Sequence, residues 1–226
     1  MAKIKFGMMM TDASGKLGGQ VFAKNRGGSY VRTKTSPLNP QTQAQMNVRG
    51  IFAGISSAWS SLTEEQRTTF NNLVAAYATT DIFGDLRNPS GKNLFQRLNQ
   101  NLSISDQAGV DVCVPPTAVP FANVQSASGE VSPNTFAVDT LGDTTGSKLV
   151  VWATAPLSQG TSFVKNKLRQ IGVYDGGSAV ELDILADYTA KFGTFTEGAN
   201  IHVGVRVINE NGQASPLEVV KAVIIA

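Results

Sequence analysis

Three prolines fall within six positions of the segment Val114-Pro115-Pro116-Thr117-Ala118-Val119-Pro120, and the hydrophobic pattern changes period across it. Proline locks φ and offers no amide hydrogen, so neither a helix nor a central strand can run through such a stretch. Upstream, Val48, Ile51, Phe52, Ile55, Trp59 and Leu62 recur at spacings of three and four, which makes one apolar face of a helix. Downstream the period switches to two, and residues 148–153, 170–174, 179–184, 201–207 and 218–224 read as strands. Asn211-Gly212 is a tight-turn signal between the last two. The expected fold class is therefore α+β, with a helical module at 37–113, a linker at 114–120 and an antiparallel β-sandwich at 121–226.

Within the helical module, Asn39 followed by Pro40 reads as an N-cap and first helical residue. Thr63-Glu64-Glu65-Gln66 has the form of a capping box, and it places two acids at the positive end of a second helix. Phe70, Leu73, Val74 and Tyr77 are its expected buried stripe, and the first two helices should form an antiparallel hairpin. Residues 84–89 read as a loop. Ser90 caps a third helix whose Leu94, Phe95, Leu98 and Leu102 face inward. A core this small should lean on the β domain or on a partner.

Residues 1–36 have no sustained period and are punctuated by six glycines: Gly7, Gly15, Gly18, Gly19, Gly27 and Gly28. Two β-like stretches, 20–24 and 29–33, read as a hairpin turning at Asn25-Arg26-Gly27-Gly28. Two strands alone are marginal in water, so this extended arm needs a surface to lie on. Charge points the same way. Residues 1–50 hold eight cations against Asp12 alone, a net of +7, whereas residues 102–226 hold seven cations and twelve acids, a net of −5. Contact between the basic head and acidic body of neighbouring copies would be electrostatically favourable.

Charged residues make up only 16% of the 226, below the roughly 25% of ordinary domains, as suits a surface covered by neighbours. One cysteine, Cys113, leaves no internal disulfide. No apolar run approaches the roughly 20 residues of a bilayer span, and residues 1–6 lack the apolar stretch of a signal peptide. The expectation is a protein made and used in a cytoplasm, or in a particle assembled there, with no membrane partner.

The motifs that would carry chemistry fail on context. Gly15-Lys16 is followed by Leu17 and preceded by no buried strand, so it is not a phosphate loop. His202, the only histidine, shares a strand face with Gly204 and Arg206 and has neither a cysteine cluster nor a triad beside it. Glu181, Asp183 and Asp187 do not match calcium-loop spacing and read as the solvated side of a sheet edge. No catalytic, metal or cofactor-binding residue is assigned, and the expectation is a protein that is not an enzyme and holds no cofactor. The candidate partner-binding residues are those of the arm: Lys16, Phe22, Lys24, Arg26, Tyr30, Arg32 and Lys34. Cations interleaved with aromatics also suit single-stranded nucleic acid, but the acidic body opposes that reading.

Certain runs carry a resemblance. Gly18-Gly19-Gln20-Val21-Phe22, Gly28-Ser29-Tyr30-Val31-Arg32, residues 37–45, residues 59–67 and Gly91-Lys92-Asn93-Leu94-Phe95 together resemble virion proteins of tailed, crAss-like bacteriophages, over about residues 15–100. Separately, residues 201–216 are similar to the late hairpin of fibronectin-III and immunoglobulin-like modules. The resemblance implies an auxiliary capsid protein, or a neck, portal-vertex or tail component. Its implied partners are major capsid, portal or tail proteins and copies of itself, and its implied place is the virion, assembled in the host cytoplasm.

Overall fold

The computed structural model describes residues 2–8, 10–25, 27–131, 134–158, 160–161 and 163–225. Among these residues it is a mixed α+β chain with four helices and several sheets, and it divides into two compact units. The first is Met1–Val48 with Thr79–Arg87; the second is Arg49–Ala78 with Asn88–Ala226.

The first unit holds a four-stranded antiparallel sheet in the order β1-β4-β3-β2: β1 (Ala2–Lys3), β2 (Gly15–Leu17), β3 (Gln20–Asn25) and β4 (Gly28–Thr33). The expected hairpin is present, with Phe22 opposite Val31 and Asn25 opposite Gly28. Each side gains a short strand that the sequence pattern does not announce. Helix α1 (Gln43–Ser61) starts later than Pro40 suggests, and the Thr42 hydroxyl accepts from the Gln45 amide at 3.4 Å.

α1 crosses from the first unit into the second, where α2 (Glu64–Leu73) follows. The capping box forms as expected: the Thr63 hydroxyl accepts from the Gln66 amide, and the Gln66 side chain accepts from the Thr63 amide. A two-stranded hairpin of β5 (Thr79–Thr80) and β6 (Leu86–Arg87) belongs to the first unit, and α3 (Gly91–Ile104) returns to the second with Ser90 as its cap. The apolar face of α1 is not buried along its length. α2 packs on α3, and α1 adds only its last turns: Trp59 sits 5.9 Å from Phe70 and 5.4 Å from Phe95, beside buried Leu62. The expected α1–α2 hairpin is thus a contact at the corner between the two helices, fixed by Arg67 donating to the Trp59 and Ser60 carbonyls.

The rest of the second unit is β7 (Val124–Glu130), β8 (Thr135–Thr140), β9 (Lys148–Ala153), β10 (Arg169–Asp175), β11 (Glu181–Asp183), α4 (Leu185–Phe192), β12 (Asn200–Ile208) and β13 (Glu218–Ile225). The strands form one seven-membered order, β10-β9-β12-β13-β7-β8-β11. Every pairing is antiparallel except β13 with β7, which meet in parallel at Ile224–Gly129 and Ile225–Glu130. α4 contacts β10, at one end of the order, and β8, next to the other end, so one helix bridges distant strands and the sheet curls around a single core. Ile201, Val203, Val205 and Val207 of β12 line that core with Leu149, Val151, Phe136, Val138 and Ile224. Tyr188 of α4 packs edge-on against Phe136 at 5.1 Å and donates to the Thr154 carbonyl; burial pushes its phenol up to about 12.

The helices and the sheet share this unit through specific bonds across the proline-rich segment. Gln213 donates to the Tyr77 hydroxyl at 2.8 Å and to the Pro115 carbonyl at 3.1 Å. Asn101 of α3 donates to the Gly212 carbonyl. Gly212 has φ +74, and a Cβ there would lie 2.4 Å from the Leu98 carbonyl oxygen. Gly212→Ala combines a left-handed backbone with a steric clash, so it should cost about 2 kcal/mol or more. Because the turn touches α3, guanidinium unfolding followed by the Trp59 signal and by the far-ultraviolet β signal should shift to lower denaturant together.

Candidate functional site

The arm sheet is organised from outside the arm. Asp81 sits at the start of the turn between β5 and β6 with a side chain only 2% exposed. Its Oδ1 accepts from the amides of Phe83 and Asp85 at 2.8 and 3.1 Å, a local turn that its short side chain can close. Its Oδ2 accepts from Arg87 Nε at 3.0 Å, Arg87 Nη2 at 2.8 Å and Lys3 Nζ at 3.3 Å. Lys3 belongs to β1, so this carboxylate joins the β5–β6 hairpin to the arm sheet. Hydrogen bonds from Arg87 first, then from the two amides and Lys3, hold its carboxyl well below the usual carboxylate range against the opposing effect of burial. The Arg87 guanidinium also underlies the β3–β4 turn, 3.1 Å from where a Cβ on Gly27 or Gly28 would stand. Lys5 pairs with Asp85 at 2.7 Å and lies over the Phe83 ring. Beside them is an open cleft of about 380 Å³ whose lining includes Lys3, Lys5, Ser29, Phe83 and Arg87.

Register separates the candidate residues onto two faces. Lys16, Val21 and Arg32 form one cross-strand row, and Ala23, Tyr30 and Lys3 form the next row on the same face. Phe22 and Val31 lie on the opposite face, as does Lys24, which pairs with Asp12 at 3.6 Å. Lys16, Arg32 and Lys34 are exposed; Phe22 and Tyr30 are half-buried. Arg26 lies outside the described residues. The geometry thus offers a cationic face around Lys16 and Arg32 and an apolar one around Phe22. β2, at the edge, is exposed at all three residues and leaves one side of its backbone unpaired in the sheet.

α1 supplies a second surface, along the apolar face that the sequence pattern marks. None of its 19 residues is buried, and Val48, Ile51 and Phe52 are 56, 39 and 52% exposed. Their stripe runs on into half-buried Ile55 and Trp59 and then into the helical core. Arg49 is the only charged residue in the helix.

Elsewhere, the candidate residues for chemistry stand apart. Glu181 and Asp183 are exposed on β11, the terminal strand of the order, on either side of buried Leu182. Among the described residues no group of three or more His, Cys, Asp or Glu side chains could hold a metal ion, and no helix is long and apolar enough to cross a membrane. His202 is half-buried; desolvation first, and Lys221 opposite it second, push its imidazole down from the ordinary value. Comparison with family models, curated proteins and solved structures finds no match for the chain.

The Asp81 hub gives a test of the arm. Its folded carboxyl titrates below the free value of 3.8, so its contribution to stability is complete above that value and is lost as pH falls below it. Asp81→Asn should therefore broaden the Tyr30 and Lys3 resonances at neutral pH while leaving those of the β12 core in place. The wild type should lose the same arm signals only under acid.

Proposed function

We propose that the chain is a non-enzymatic virion structural protein, most simply an auxiliary capsid protein that binds between major subunits through its arm and helical module. A neck, portal-vertex or tail position is the alternative within the same class. The observation that carries the reading is α1. A helix with one charge and a continuous apolar stripe is not stable against water on both sides, and a stripe left open beside a formed core is what a partner's surface would cover. The arm sheet supports it with an ordered, basic, open-edged platform, to which a strand of a neighbour can add. Its likeness to tailed-phage virion proteins and the low content of charged residues point the same way.

The curled seven-stranded order supports reading the body as a sandwich of the immunoglobulin or fibronectin-III kind, with β10, β9, β12 and β13 as one layer and β7, β8 and β11 as the other. Nucleic-acid binding by the arm is the weaker reading, because Lys3, Lys5 and Lys24 are already engaged with Asp81, Asp85 and Asp12.

Ile51→Asp combined with Phe52→Asp places two charges on the open stripe without touching a buried residue. Copy number in particles purified from the parent system and quantified by mass spectrometry should fall by about tenfold or more, as for loss of a central interface anchor. The thermal midpoint of the isolated protein should be unchanged. Wild-type copy number in the double variant would overturn the proposal.

A further inference from the structure

A second recognition feature lies in the β body, among residues that neither the arm nor α1 uses. On the outward face of the sheet, Trp152 of β9 stands opposite Gly204 of β12 and Val150 stands opposite Arg206. The Arg206 guanidinium lies over the Trp152 ring, 5.9 Å from its centre. A cavity of about 240 Å³ opens there, lined by Trp152, Lys165, Leu168, Arg206 and Leu217. Gly204 keeps it open, since a Cβ would meet Leu217 at 3.2 Å and Leu168 at 3.5 Å. The wall carrying Lys165 is fixed by a turn in which Lys167 and Leu168 donate to the Val164 carbonyl, with Val164 and Leu168 buried.

Among the described residues that line this cavity there is no acid to balance Lys165 and Arg206. Arg206 makes no hydrogen bond or ion pair among the described residues, and its Nε is buried without a partner. Lys165 has no ion pair among them either. Residues 156–174 contain Lys165, Lys167 and Arg169 and no acid, although residues 102–226 as a whole carry a net of −5. A half-buried guanidinium that meets only an aromatic face retains its unmet donors, and a planar carboxylate accepts from that fork in two places. Leu168, Leu217 and Trp152 give the anion an apolar stem to lie beside. The volume is below the roughly 300 Å³ at which ordinary small-molecule sites begin, and so suits one side chain. A nucleic-acid backbone would instead need a track of cations.

We infer that this cavity is a socket for a glutamate or aspartate side chain presented by a partner polypeptide. The inference goes beyond the assembly reading, and its test uses neither the arm nor α1, so either can fail while the other stands.

The test is a titration of the full ¹⁵N-labelled chain, following the Trp152 indole N–H. The probes are acetyl-Leu-Glu-Leu-amide, its Gln counterpart, sodium acetate and a single-stranded oligonucleotide. A saturable shift is expected with the Glu peptide, with a dissociation constant on the order of a millimolar for so small a contact. The Gln peptide should bind at least about tenfold more weakly, and acetate more weakly than the Glu peptide, since it lacks the stem. Arg206→Gln should abolish the shift. Lys165→Gln, on an exposed turn, should weaken it severalfold with the fold intact, which keeps the test valid if the first variant is unstable. Equal binding of the Glu and Gln peptides, no shift with the Glu peptide, acetate binding as tightly as the Glu peptide, a response to the oligonucleotide alone, or unchanged binding in a folded Lys165→Gln variant would each overturn the inference.

Discussion

The carboxylate of Asp81 is almost wholly removed from water, and a charge so placed is stable only while its donors stay in position. Five of them converge on it: two from Arg87, one from Lys3, and the amides of Phe83 and Asp85. The pattern is all or none. Remove the Lys3 strand and the carboxylate loses a counter-charge; remove the hairpin and the arm sheet loses what underlies the β3–β4 turn. A glycine-rich segment that would be marginal as two strands is thereby held as four. The arm surface proposed for assembly depends on that ordering, because exposed Lys16 and Arg32 can be presented in one row only if the register of three strands is fixed.

In the second unit the organising element is β12. Its odd-numbered residues fill the sheet core, while its even-numbered Gly204 and Arg206 shape the outward cavity. The hairpin that leaves it, through Gly212 and Gln213, reaches α3 and Tyr77. One strand therefore ties the curled sheet, the helices and a recognition socket together. Changes on its two faces should be felt in different ways: as lost stability on one, and as altered binding on the other.

Elements with a strong local signature were legible in the sequence. Apolar runs in β9 and β13 and the alternation of β12 marked those strands, and side-chain caps marked the starts of α2 and α3. β7 was not legible because its inward positions are Ala127 and Gly129, kept small since a Cβ at 129 would meet Ile224 Cδ1 at 2.5 Å. α4 has no side-chain cap bond to announce it. Pro40 signalled a helix start that Thr42 in fact provides. The cations of the arm could be named from composition alone, but the residue that orders them could not. Asp81 and Lys3 are 78 positions apart, and an Asp ahead of a glycine turn reads locally as nothing more than a turn. The stripe of α1 was visible as a pattern; that it stays open is a property of the tertiary structure, which no periodicity encodes.

β13 pairs with β12 over most of its length and then passes to β7 in parallel at its last two residues. A strand shared in this way makes the two parts of the sheet a single event in time. While the chain is being made, β7 is present long before the strand that belongs beside it, β12 precedes that strand by a short turn, and each carries an unsatisfied backbone edge until it arrives. The body cannot mature in stages from its N-terminal side. Its most hazardous moment is the interval on the ribosome before residue 218 emerges, when two open edges, and the valines of β12, are available to any other chain in the same condition.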